Sequence, residues 1–176
     1  MSQPRLRLER LSRDHDVTGF ESGSEELDRW LEQHALAAQE MDTARTFLLT
    51  RGRRLVGYFS LTMGSVLKEK APTRLVRGIP GYPVGMVLLA RLAVDRRHQG
   101  QELGALLLTE ALRKALAAGE SAAARLLVVD AIDERAAEFY RHHGFITAPD
   151  YPLRLYRRIK DIRASFEPTE PPAPSS

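Results

Sequence analysis

From Arg5 to Leu11 the chain alternates as RLRLERL, the period-two pattern of a half-buried strand with Leu6, Leu8 and Leu11 facing inward. Ser22-Gly23-Ser24-Glu25 has capping-box spacing, and Leu27, Trp30, Leu31, Ala35 and Ala38 recur at helical intervals, which predicts a helix over 24–39. The β-rich runs 46–50 and 55–66, joined by the glycine-containing Arg51–Arg54, read as an antiparallel hairpin forming strands two and three. Residues 68–82 are punctuated by Pro72, Gly78, Pro80 and Gly81, so a long loop is expected there. Val87–Val94 is apolar except for Arg91 and predicts a strand covered on both faces.

That fourth strand runs into a glycine turn. Beyond the turn, Leu103, Leu106, Leu107, Ala111, Leu112, Ala115 and Leu116 form one helical stripe, with Gly119 placed to cap it. A fifth strand follows over 124–132. Asp133 can cap a short helix through Arg141, and Gly144 can end it. Residues 145–147 and 153–162 read as a closing pair of strands. The order of elements is that of an α/β domain with one sheet and helices on its faces, spanning residues 1–166. The remaining EPTEPPAPSS, residues 167–176, has little to bury and reads as a disordered tail. Strand four feeding a turn and then a helix N-terminus is a ready anion site, built from free N–H groups and the helix dipole.

Composition narrows the chemistry. A chain of 176 residues with 43% hydrophobic and 28% charged residues suits one soluble domain. No apolar run reaches the roughly 20 residues that span a bilayer, and the N-terminus has no apolar leader, so a cytoplasmic protein without a membrane partner is expected. Without cysteine there is no thiolate nucleophile, iron-sulfur cluster or cysteine-based zinc site. His98, His142 and His143 have no acidic partner at ligand spacing, so no metal is expected; Asp133 is better explained as a cap, and Asp130 receives no catalytic role. The excess of arginine over lysine suits bidentate contact with phosphate or carboxylate, although for any one arginine a solvated surface is the simpler account.

Gln99-Gly100-Gln101-Glu102-Leu103-Gly104 fits neither a P-loop, which needs a lysine, nor the G-x-G-x-x-G dinucleotide spacing. It resembles the Q/R-x-x-G-x-G/A acetyl-CoA signature of the GNAT family of N-acetyltransferases, with Glu102 where the middle glycine is usual. A carboxylate pointing at a pyrophosphate would be unfavourable. One pointing outward at the first helical turn would favour the dipole and leave its N–H free, and this orientation is expected. The resemblance covers nearly the whole chain. Phe20, Ser22-Gly23, Leu27-Asp28, Trp30-Leu31, Gly57–Leu61, Leu89, Arg91–Asp95, Phe139-Tyr140 and Gly144-Phe145 are similar to the acetyltransferase toxins of bacterial toxin–antitoxin pairs, the TacT- and AtaT-like branch.

The resemblance implies a GNAT fold: a mixed, mostly antiparallel sheet with helices on both faces and a cleft where strands four and five splay apart. The pantetheine arm of acetyl-CoA would pair with Leu92, Ala93 and Val94, and an N–H near Ala93 would face the developing oxyanion. Gln99, Gly100, Gln101, Glu102, Leu103 and Gly104 would hold the pyrophosphate, with Phe139 beside the cofactor. Tyr140 would be the general acid toward the departing CoA sulfur. Read without the family, Tyr140 is a core aromatic in a Phe139–Tyr140–Phe145 cluster.

For the toxin branch, the acceptor is the α-amine of aminoacyl-tRNA, whose acetylation blocks translation. Arg74, Arg77, Arg91, Arg96 and Arg97, with Arg5 and Arg7, could then form a phosphate-contacting surface around the cleft mouth. A homodimer is implied, with a ribbon-helix-helix antitoxin as partner and operator DNA reached only through the antitoxin complex. Two other functions fit the same chain: acetylation of a protein or small-molecule amine on this fold, and a non-catalytic CoA- or nucleic-acid-binding module.

Overall fold

The computed structural model describes residues 2–168 and 172–174, so residues 169–171 and 175–176 of the expected tail lie outside the described residues. The strands are β1 (Leu6–Arg10), β2 (Arg45–Arg51), β3 (Arg54–Val66), β4 (Val84–Val94), β5 (Leu126–Asp130), β6 (Ile146–Thr147) and β7 (Arg154–Arg158). They form one sheet in the order β1-β2-β3-β4-β5-β7-β6. Only β4 and β5 run parallel, so the sheet is mixed and mostly antiparallel, as expected.

The predicted first helix is two. Helix α1 (Glu25–Gln33) begins at Ser24, whose hydroxyl accepts from the Leu27 N–H, and stops before His34; α2 spans Ala35–Glu40. The break redirects the chain so that Gln39 reaches the β1–β2 edge, donating to the Leu11 carbonyl and accepting from the Thr46 N–H. Both helices cover one face of the sheet, where Leu27, Leu31 and Ala35 pack on Leu48, Tyr58 and Ala93.

Helices α4 (Leu103–Ala122), α5 (Glu134–His142) and α6 (Ile159–Phe166) lie on the opposite face. The seat of α4 is tight at Gly57, where an added Cβ would come 3.0 Å from the Ala93 carbonyl oxygen and 3.1 Å from Leu107 Cδ2. Because the first of these is backbone, relief requires the sheet itself to move. Gly57→Ala is therefore expected to cost about 1–3 kcal/mol, read as a lowered denaturant midpoint with unchanged slope.

Three further expectations are corrected. Gly119 does not end α4, which continues to Ala122 and is closed by Ala123 at φ 56°. Gly119 instead faces Ile159 and Ala124, so the absence of a side chain lets the helix lie against the start of α6. Residues 159–166 are helical, because Ile159, Ile162 and Phe166 recur every three to four residues, and the two isoleucines are buried. The loop over 68–82 holds a 3-10 turn (Lys68–Lys70) and the short α3 (Thr73–Val76), whose Leu75 and Val76 pack at the start of β4 and β5.

Candidate active site

Strand β4 is bent by one extra residue. Leu61 of β3 pairs with Leu89 and Ser60 pairs with Arg91, which leaves Ala90 as a bulge. On its other side β4 pairs with β5 only from Met86–Leu126 to Leu89–Val129. Past that point β4 stays with β3, whereas β5 stays with β7: Asp130 pairs with Arg154, and the Ala131 N–H donates to Leu153. The two central strands therefore part, leaving a wedge with a cavity of about 50 Å³ lined by Leu89–Leu92, Val129–Ile132, Leu27, Ala136 and Tyr140. Between Arg91 and Val94, β4 has no β5 partner, so its edge is free to accept an extended chain.

Tyr140 reaches this wedge from α5. Asp133 starts that helix by accepting from the Ala136 N–H, and Ala137 and Tyr140 form its buried side. The Tyr140 ring is held edge-on between Phe139 (5.3 Å between centroids) and Phe145 (5.6 Å). Burial pushes its phenol pKa above the ordinary range, so it stays protonated at neutral pH.

The turn before α4 is held from below. The Gln99 amide donates to the carbonyls of Ser22 (2.9 Å) and Val94 (3.0 Å), so this side chain shapes the loop rather than facing out of it. Gly100 takes φ 81° and Glu102 takes φ 58°, both left-handed, and Glu102 is exposed. The first-turn N–H groups of Leu103, Gly104 and Ala105 are without intrahelical acceptors by the geometry of any helix start, and a Cβ on Gly104 would lie 3.8 Å from the Phe139 ring. A loop of free N–H groups at the end of a strand with an open edge fits a pantetheine diphosphate. Replacing Glu102 by glycine would remove a left-handed side chain and a carboxylate near that loop. The Michaelis constant for acetyl-CoA is expected to fall by about two- to fivefold with kcat unchanged, in steady-state assays of Glu102→Gly.

Arginines predicted to share one surface are dispersed. Arg97 binds Asp95 through Nε (2.9 Å) and Nη2 (2.9 Å), and Arg91 stacks over Trp30 at 3.9 Å, half-buried. Trp30 in turn stacks on Tyr58, whose hydroxyl donates to the Leu27 carbonyl. Arg96 is exposed, its backbone N–H donating to the Glu21 carbonyl. Arg74 and Arg77 belong to the α3 segment, tied by Arg125 to the start of β5; at about 3.3 Å per residue that is a strand's length from the wedge. Arg5 and Arg7 lie at β1, the far edge of the sheet.

Asp95 and Asp130 received no role in the site from the sequence. Asp95 is wholly buried; it accepts from the N–H groups of Glu21 and Arg97 as well as the Arg97 side chain, which holds its carboxyl well below the usual range. The signal was an acid directly after an apolar strand with an arginine two residues on. Asp130 borders both the wedge and a larger groove beside it. Among the described residues, no group of three or more histidine, aspartate or glutamate side chains is placed to hold a metal, and no helix is long and apolar enough to cross a membrane.

The sequence pattern of the Acetyltransferase (GNAT) family matches residues 8–145. A tRNA-acetylating toxin of Mycobacterium tuberculosis is 41% identical over 155 residues, covering 88% of this chain and 93% of the relative. Among solved structures, AtaT complexed with acetyl-methionyl-tRNAfMet superposes with a TM-score of 0.85 at 29% identity, covering 93% of this chain and 100% of that one. A tyrosine-to-phenylalanine variant of AtaT, bound to the C-terminus of the antitoxin AtaR and to acetyl-CoA, has a TM-score of 0.78 at 27% identity over 92% and 98% of the two chains. The AtaT–AtaR complex bound to DNA has a TM-score of 0.75 at 28% identity over 92% and 99%.

Proposed function

Given that the chain belongs to the acetyltransferase (GNAT) family, we propose that it moves the acetyl group of acetyl-CoA onto the α-amine of aminoacyl-tRNA, blocking translation as a toxin. The observation that carries this reading is the wedge between β4 and β5, with the Tyr140 ring in its wall and a free helix N-terminus at its mouth. Acetyl-CoA supplies the activated acyl group. Along the open β4 edge, the backbone of Leu92, Ala93 and Val94 would orient the pantetheine arm. The loop Gln99–Gly104 would neutralise the diphosphate through N–H groups, with Phe139 packed beneath.

An N–H near Ala93, on the open edge of β4, would receive the charge that develops on the carbonyl oxygen as the amine attacks; that of Ala93 itself faces Tyr58 of β3. Tyr140, kept protonated by burial, would donate its proton to the sulfur as the thioester breaks. No side-chain base is required: an α-amine with a pKa near 8 is partly neutral at physiological pH, and the proton that the nitrogen sheds as the amide forms would return the Tyr140 phenolate to its acid form. The exposed Arg96 and the Arg91–Trp30 stack would meet the RNA near the wedge, and Arg74 and Arg77 would do so a strand's length away.

The AtaT complexes support an antitoxin partner that holds the enzyme and carries it to DNA. We assign that partner to the ribbon-helix-helix class, the active form to a homodimer, and the site of action to the cytoplasm, where charged tRNA and acetyl-CoA meet. Residues 1–166 would make up the catalytic domain and 167–176 a tail. The test is incubation of the chain with acetyl-CoA and total charged tRNA, followed by mass analysis of the released aminoacyl groups. Acetylated aminoacyl groups are expected. Transfer to peptide or polyamine amines with charged tRNA untouched would move the chain to the rival activity.

A further inference from the structure

The hairpin that joins β2 to β3 brings three arginines beside the loop that precedes α4. Arg51 and Arg54 stand directly opposite each other across the turn Gly52-Arg53, where Gly52 takes φ 62°. Arg51 also pairs with Leu6, whose side chain packs on the same core as Leu103 and Leu107. Residues opposite each other share a face, so the two arginines lie on the α4 side of the sheet.

Two contacts fix the hairpin to the loop. Val56 is an extra residue in β3, left between the Leu49–Gly57 and Thr50–Leu55 pairs, and its carbonyl accepts from the Asp95 N–H at 2.9 Å, where β4 gives way to the loop. From β2, Arg51 Nη1 donates to Gln101 Oε1 at 3.4 Å. Like charges directly opposite on two strands repel, and the fold does not answer them. Among the described residues, Arg51, Arg53 and Arg54 have no carboxylate within ion-pair distance, Glu102 of the adjoining loop included. Arg97, within the same loop, is by contrast committed to Asp95.

CoA offers a group of matching charge. Its ribose carries a 3′-phosphate monoester, close to doubly charged at neutral pH, one sugar away from the diphosphate. The N–H groups of the Gln99–Gly104 loop are neutral, whereas guanidinium groups bring full charge to a phosphate and grip it at two points. RNA fits this corner less well, because the Arg91–Trp30 stack lies on the α1 face, across the sheet from α4. We infer that Arg51 and Arg54, with Arg53 at the turn, seat the 3′-phosphate of CoA and make the chain select CoA over dephospho-CoA. The inference rests on the placing of the diphosphate at the Gln99–Gly104 loop.

Binding of CoA and of dephospho-CoA to the full chain can be measured by calorimetry, with no acetyl transfer involved. Wild type is expected to bind CoA about tenfold more tightly, the scale of one or two exposed, charge-assisted contacts. Arg54→Glu leaves the Arg51–Gln101 contact in place; it should weaken CoA about tenfold and dephospho-CoA less than about twofold, with unchanged melting temperature. Arg51→Gln, which keeps a donor beside Gln101, should likewise bring the two affinities together. Variants that weaken both ligands alike would report damage to the loop and overturn the assignment. So would a raised Michaelis constant for charged tRNA with the ratio of CoA to dephospho-CoA affinity unchanged, which gives the hairpin to RNA. Absence of any CoA binding removes the loop reading itself, whereas CoA binding without discrimination in wild type removes only the phosphate seat.

Discussion

Replacing Tyr140 by phenylalanine is expected to lower acetyl transfer by about 10²- to 10⁴-fold, the contribution typical of a positioned general acid, while leaving the fold intact. The two effects separate because of how the ring is held. Its packing comes from Phe139 and Phe145 at edge-on distances of 5.3 and 5.6 Å, and phenylalanine reproduces that packing. A stability change under about 0.5 kcal/mol is expected, with CoA affinity near wild type. The pH profile adds a second check. Because burial raises the Tyr140 pKa above its ordinary value, the acid form persists as pH rises, and kcat/KM should climb as the acceptor amine deprotonates near pH 8 without falling again before about pH 10. Full activity in Tyr140→Phe, or an alkaline limb below pH 9, would remove the residue from this role.

Asp95 should give the second large effect, on stability. Asp95→Ala strands two N–H donors, those of Glu21 and Arg97, for an expected loss of about 2–3 kcal/mol; the Arg97 charge adds little, since that side chain is 71% exposed. The pH dependence has a definite sign. The folded-state pKa is depressed, first by the hydrogen bond from the Arg97 side chain, so the stabilisation is present above the unfolded value of about 3.9 and is lost as pH falls through the folded value. Wild type should therefore lose stability from about pH 4 downward, and its advantage over Asp95→Asn should shrink over the same range. Parallel stability curves for the two proteins would show that the charge on Asp95 contributes nothing. Asp95 also ties the segment before α1 to the end of β4, so Asp95→Ala should raise the Michaelis constant for acetyl-CoA through the Gln99 loop that this junction supports.

The strand, turn and helix from Val87 to Leu116, the Ser24 and Asp133 caps, and the placing of Tyr140 on the helix after β5 were all legible in the chain. Each depends on contacts within a few residues: apolar periodicity, a side chain reaching the N–H three positions on, a glycine free to take positive φ. Where local signals conflicted, reading along the chain went astray. Gly119 looked like a cap because a glycine after an apolar stripe often is one, but its role is set by Ile159, forty residues away in sequence. Residues 159–162 continue a β-like apolar run, yet burial against α4 makes them helix.

The chemistry divides in the same way. Residue types and spacing specified a strand, turn and helix start able to meet an anion; the acyl-carrier loop, the candidate acid and the acceptor class came only with the family resemblance. Only the tertiary structure decided that β4 and β5 part at Leu89, because each strand keeps its outer neighbour and Ala90 adds a bulge. It also decided which partner each arginine takes within the fold. Arg97 is committed to Asp95, and Arg91 to Trp30, sixty-one positions earlier in the chain. An arginine's partner depends on which distant segments the sheet brings alongside it, and no periodicity in the chain records that.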